Sequence, residues 1–337
     1  MDWLEDFRPQ LERLFQQAEK RVRAFPAPLH EIGLRYLSAF DIRTRGSTKN
    51  YICYLLPFWL ERMLSARLES STSDALLQTA RQAALGNVMG MLHFFIQDDL
   101  MDTAQQQAAE DAPDMRSLIP LSQLLHSEFI QAMSAATSSQ HHDQLWEYYQ
   151  DLSAEWASAV YDESESDYFL HAQHRVAGKA SPIKLSVIIM MLEANLSSQL
   201  PALLEQLERV LLVLQMNDDA ADWREDLASG SYNCLLSLIR HEYDALEQHA
   251  DEALSTPTVL TEVQVQQAIY DRHILQRYTS MAADSYIAAD TASLNPYLSQ
   301  FHAYLIRQLT RMSEQVEQHR SLLLQQGSIW YYAKLSN

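Results

Sequence analysis

The sequence predicts an all-α protein, and three observations carry that prediction. Glycine is scarce, with seven in 337 residues, about 2% against a usual ~7%. Sheet proteins need glycine for hairpins, and nucleotide-binding folds need it for phosphate loops. Long stretches are rich in Leu, Ala, Gln, Glu and Met, which favour helix, and apolar residues recur at helical spacing almost without interruption.

The elements follow from that periodicity and its few breaks. Helices are predicted over roughly 9–24 and 28–40, separated by the prolines of "FPAP", and then over roughly 48–67 and 73–104. The last of these contains "ALGNVMGMLHFFIQDDLMD", apolar all round from Val88 to Ile96, and such a helix is surrounded by others. "DAPD" at 111–114 leads into a helix over about 114–138, and another fills about 141–163. His141 and His142 between them read as exposed turn residues. A helix over about 166–196 carries Gly178 and Pro182, which should break it between them. The next, about 200–228, is apolar on every side from Val210 to Leu214. "LASGSYN", "STPT" and "SLNPY" then separate helices over about 232–254, 259–291 and 295–325. No repeat and no composition shift appear, so residues 1–337 read as a single domain.

Charge narrows the function classes. At −19 the chain repels phosphate backbones, which argues against a nucleic-acid partner. Cys53 and Cys234 read as two buried free thiols. The opening "MDWLEDFRPQ" has no basic or apolar leader character, and "KLSVIIMML" is too short to span a bilayer. The expectation is a soluble, cytoplasmic protein without a membrane span. No P-loop, G-x-S-x-G or C-x-x-C occurs, and no glutamate has a histidine three residues on, which excludes a di-iron carboxylate bundle.

The two wholly apolar helices end alike. Asp98, Asp99 and Asp102 form D-D-x-x-D, with Asp98 and Asp102 about 40° apart around the helix. Asp218, Asp222 and Asp226 recur at i, i+4 and i+8 within one 80° stripe, flanked by Asp219 and Glu225. Like charges at this spacing destabilise a helix by a few tenths of a kcal/mol per pair, and acidic groups near a C-terminus oppose its dipole. Magnesium would compensate, because it takes hard oxygen ligands from one or two carboxylates together with phosphate oxygens. The two clusters are therefore expected to face one another, hold several Mg²⁺ ions, and bind a polyphosphate through them.

With these motifs the sequence resembles the class I isoprenoid synthases, meaning trans-isoprenyl diphosphate synthases and class I terpene synthases. "FFIQDDLMD" is similar to the first aspartate-rich motif of the diphosphate synthases, and "LQMNDDAADWRED" to the second. The second also matches the i, i+4, i+8 spacing of the terpene synthase metal triad. "RVAGKASPIKL" is similar to the mid-chain K-T-A segment, with Lys179 at the lysine. The resemblance implies an all-α bundle around a central cavity, three Mg²⁺ ions and a homodimer. It implies Asp98, Asp102, Asp218, Asp222 and Asp226 as metal ligands, with Asp99 more often supporting them. Lys179 and then Arg175 are the expected diphosphate contacts, with Lys184, Lys49, Arg224, Arg43 and Arg45 as weaker candidates. Phe94 and Phe95, with Met91, Met190 and Gly178, are the candidate cavity residues.

Departures from the pattern bear on the subfamily. Chain elongation needs basic residues for a second diphosphate, yet Asn50 and Ile52 stand where arginines would. Met91 replaces an expected histidine, and "TAQQQAAED" replaces the R-R-G after the first motif. The expected activity is a class IB type, prenyl synthase-like terpene synthase acting on geranylgeranyl or farnesyl diphosphate. A prenyltransferase or chain-elongating synthase, and a non-catalytic partner subunit, are the alternatives.

Overall fold

A computed structural model of the chain describes residues 2–44, 51–67, 70–105, 115–161, 168–248, 259–290 and 295–325, and among these every regular element is helical. In chain order they are α1 (Asp2–Glu5), α2 (Arg8–Arg23), α3 (Leu29–Phe40), α4 (Tyr51–Ser65), α5 (Ser70–Gln105), α6 (Met115–Ala136), α7 (His142–Tyr161) and α8 (Tyr168–His171). They continue with α9 (His174–Gly178), α10 (Lys184–Glu193), α11 (Leu200–Ser229), α12 (Cys234–Gln248), α13 (Glu262–Tyr270), α14 (Ile274–Asp290) and α15 (Pro296–Gln325). The all-α expectation holds. The chain divides into two compact units, Met1–Ser153 with Pro182–Leu204, and Ala154–Ser181 with Glu205–Asn337.

In the first unit α2 buries Leu11, Leu14, Phe15, Ala18 and Val22, one amphipathic stripe at spacings of three and four. α4 and α10 are buried almost all round, from Tyr54 to Leu60 and from Lys184 to Leu192. α5 is 36 residues long and packs against α4, α6 and α10. Its approach to α6 depends on glycine. A Cβ on Gly86 would lie 2.9 Å from Met133, and one on Gly90 would lie 2.8 Å from Phe129. His93, buried on α5, places Nδ1 2.7 Å from the Ser122 hydroxyl, which also accepts from Gln97 at 2.8 Å. Burial first, and His126 second, push His93 down to about 4, so the imidazole is neutral at ordinary pH.

In the second unit Asn295 starts α15. Its Oδ1 accepts from the Tyr297 and Leu298 amides, while Gln206 of α11 bonds both its backbone N–H and its carbonyl. Thr261 and Gln264 form a capping box at the head of α13. The helix expected over 166–196 is broken between Gly178 and Pro182 as anticipated, and again near residue 172. The helix expected over 259–291 is interrupted at 271–273, where His273 adopts φ 55°.

Two smaller expectations are corrected. His141 and His142 are half-buried rather than exposed. His141 Nδ1 lies 3.0 Å from the Glu193 carboxylate, and His142 Nε2 lies 3.1 Å from the Thr137 carbonyl at the end of α6. Both cysteines are free, yet only Cys234 is buried as a whole residue. Cys53 is partly exposed as a residue, while burial of its thiol pushes it up to about 12. Among the described residues no helix is long and apolar enough to cross a membrane.

Candidate active site

α11 delivers the second acidic cluster because its apolar section is well anchored. Val210, Leu211, Leu212 and Val213 are buried, as are Met216, Ala220 and Trp223. The helix face carrying Met216, Ala220 and Trp223 also carries Asp219, one position beyond Asp218, so Asp219 is drawn inside at 4% exposure. There it is fully engaged. One carboxylate oxygen accepts from Gln215 at 2.7 Å and the other from the Cys234 amide at 2.6 Å. Asp219 thus helps to seat the first turn of α12, where a carboxylate also suits the helix dipole.

Asp218, Asp222 and Asp226 occupy the other face. Asp218 and Asp222 are exposed and Asp226 is half-buried. The Asp218 residue presents surface to solvent, yet its carboxyl is set among protein atoms and other carboxylates. Burial first, then the charges of Asp222, Asp219 and Asp226, push it up to about 6, and Lys179 opposes the rise. Burial likewise leads in pushing Asp226 up to about 6, with Asn233 and Lys179 opposing. Lys179 therefore lies close enough to Asp218 and Asp226 to act on both electrostatically.

Asn233 ties this cluster to the following loop and escapes the sequence reading. Its Oδ1 accepts from the Leu235 and Leu236 amides as the N-cap of α12. Its Nδ2 donates to the Asp219 carbonyl and to the Asp226 carboxylate, both at 2.7 Å. An Asn directly before the apolar run "CLLSL" is a helix-start signal that could have drawn attention to it.

Arg175 sits on the short α9 and Lys179 just after it. Arg175 lies over the Tyr168 ring, 4.9 Å from its centroid, and Tyr168 stacks on Tyr232 at 3.9 Å. Gly178 is buried, and a Cβ there would lie 3.0 Å from Ala159, so close approach to α7 accounts for the glycine. Arg224 donates to Glu262 at 3.0 Å and lies over Trp223. Trp223 is buried, in keeping with a packing role.

The first acidic cluster lies in the other unit. Asp98 and Asp99 are exposed at the end of α5, and Asp99 accepts a 2.6 Å hydrogen bond from Tyr36 of α3. The side chain of Asp102, and Lys49 and Arg45 entirely, lie outside the described residues. Phe95 stacks on Phe40 at 4.8 Å, while Phe94 meets His93 and Phe129 edge-on. Met91, Met190 and Lys184 are buried. Arg43 is clamped by Asp41 at 2.6 Å and Glu19 at 3.0 Å.

As a donor set the α11 stripe is all oxygen, carries repulsive charge, and retains solvent access. Those properties suit a hard divalent cation completed by water and phosphate oxygens. Among the described residues no group of three or more His, Cys, Asp or Glu side chains could hold a metal ion by itself.

Comparison with solved structures defines the class of fold. The chain is similar to geranylgeranyl pyrophosphate synthase from Lactobacillus brevis ATCC 367, with TM-score 0.62 and 19% identity over 90% of this chain and 98% of that one. It is similar to heptaprenyl diphosphate synthase from Staphylococcus aureus, with TM-score 0.62 and 13% identity over 91% and 98%. This is the class I isoprenoid synthase fold in its prenyl synthase-like form. No family model matches the sequence, and no curated protein matches it.

Proposed function

We propose that the protein is a magnesium-dependent enzyme acting on an isoprenyl diphosphate, with cleavage of the allylic carbon–oxygen bond and release of diphosphate. The observation that supports this reading is the stripe of Asp218, Asp222 and Asp226 with Lys179 acting on it, in a chain with this fold. On the motif match Asp98 and Asp102 are proposed as further metal ligands, with Asp99, which Tyr36 engages, in a supporting role. When bound, Mg²⁺ supplies Lewis-acid stabilisation of the charge developing on the leaving group. Lys179 binds the diphosphate, with Arg175 and Lys49 as further contacts, whereas Arg224 is held by Glu262 and Lys184 is buried. Phe94, Phe95, Met91 and Met190 exclude water from the allylic cation, and aromatic faces tolerate its charge.

Two fates of that cation are supported by different observations. Similarity to two prenyl diphosphate synthases favours transfer to an acceptor, chain elongation included. The residues favour cyclisation of a C15 or C20 substrate, because Asn50, Ile52 and Met91 remove cations from a second diphosphate site. Arg43 is also occupied by two carboxylates. Incubation with Mg²⁺ and C10, C15 or C20 diphosphate, with and without isopentenyl diphosphate, separates them. A hydrocarbon or terpene alcohol from one substrate alone identifies a cyclase, and a longer diphosphate formed only with isopentenyl diphosphate identifies an elongating synthase. No turnover until a second protein is added would identify a partner subunit and overturn the enzymatic reading.

A further inference from the structure

We propose that a cleft lined by α2, α4 and α5 binds a small hydroxylated phosphate ester. The cleft measures about 270 Å³ and is lined by Gln10, Arg13, Leu14, Gln17, Phe58 and Arg81. The four α2 residues fall at i, i+3, i+4 and i+7, one face of the helix. Arg81 precedes Asp98 by 17 positions on α5, about 25 Å at 1.5 Å per residue, so the cleft is distinct from the first acidic cluster. It does not depend on the reaction proposed above.

Three features point to the ligand. First, no carboxylate lines the cleft, although the chain holds 44 acidic residues and a net charge of −19. Within the same unit Arg8, Arg21, Arg23 and Arg43 each pair with an aspartate or glutamate. Arg13 and Arg81 make no ion pair or hydrogen bond with any described residue. Two unpaired guanidinium forks on one cleft suit the oxygens of a phosphate. Second, Gln10 Oε1 is buried with no hydrogen-bond partner. A buried acceptor is rarely left unsatisfied, and rotation of the Gln10 amide toward the cleft would let a ligand hydroxyl donate to it. Third, Leu14 and Phe58 are buried and give the cleft an apolar floor for a short carbon skeleton. The volume lies just below the ~300–1,000 Å³ of ordinary ligand pockets, which suits a small ligand. The same phosphate ester occurs as a free metabolite and as a lipid headgroup.

Calorimetric titration of the full chain with glycerol phosphate, in EDTA, tests the site for a free ester. Flotation with phosphatidylglycerol vesicles, against phosphatidylcholine vesicles, tests it for a headgroup. Binding by the wild type is expected in at least one arm, and the arm that responds names the source. In that arm the Arg13→Gln/Arg81→Gln double variant should bind at least tenfold more weakly, and Gln10→Leu several-fold more weakly. Asp218→Asn should bind as the wild type does. The arginine variant should melt unchanged, since neither guanidinium has a partner to lose. Absence of wild-type binding in both arms, or undiminished binding by the double variant, would overturn the proposal.

Discussion

The two acidic helix ends share a spacing of aspartates and differ in how those aspartates are used. At the end of α5, Asp98 and Asp99 are exposed, and a tyrosine from a neighbouring helix bonds Asp99 from outside. At the end of α11, the equivalent second aspartate, Asp219, is buried and seats the next helix, while Asp218 and Asp226 are both pushed up to about 6. The same D-D pair therefore divides its labour differently in the two places. On α11 one aspartate stabilises the structure, and its neighbours hold charge that the fold itself leaves largely uncompensated.

The largest effect expected from this contrast is on catalysis. Asp218→Asn and Asp98→Asn should each lower product formation at least about a thousandfold, in line with loss of a group that stabilises transition-state charge, while circular dichroism shows an unchanged helical fold. Asn233→Ala should act on stability instead. It removes an N-cap, about 0.5–2 kcal/mol, and orphans buried polar partners, about 1–3 kcal/mol more, so a denaturant melt should record a loss of about 2–4 kcal/mol. Asp218→Asn in the same melt should be neutral or slightly stabilising, since it relieves repulsion. If the two variants destabilised equally, the division between structural and charge-holding aspartates would fail.

A pH series sharpens the same contrast. Asp218 and Asp226 rise from an ordinary 3.8 to about 6 in the folded protein, so folding favours their protonated forms. Without magnesium, stability should decline as pH rises from about 4 through about 6, with the full cost present above that. Magnesium must displace those protons, so its affinity should climb through the same window, by about tenfold per pH unit for one proton displaced, and level off above about pH 7. Thermal melts with and without Mg²⁺ at pH 5, 6 and 7.5 would read this. The smallest effect is expected at the other cluster: Tyr36→Phe loses a hydrogen bond to an exposed carboxylate and should cost under about 1 kcal/mol, with substrate turnover reduced only modestly.

Much of this was legible in the sequence. Val88–Ile96 and Val210–Leu214 were readable as buried helix because no charged residue interrupts them and His93 is the one polar residue in either, and the one-sided aspartates followed from angular arithmetic alone. Asp219 was readable too, since it shares a face with Met216, Ala220 and Trp223, but charge made it look like a companion of Asp218. Asn233 carried its N-cap signal openly, whereas its bonds back to Asp219 and Asp226 depend on a loop path that no local pattern encodes. The break at 271–273 has neither Gly nor Pro, and a left-handed His273 leaves no compositional mark. The arginine cleft was equally hidden, because its residues come from three helices.

Whether carboxylate-held magnesium draws diphosphate away from an isoprenyl chain is read from release of inorganic diphosphate from C15 and C20 substrates. Release should occur with Mg²⁺, stop on addition of EDTA, and be absent in Asp218→Asn. Release that persists in EDTA, or that survives in Asp218→Asn, would contradict it.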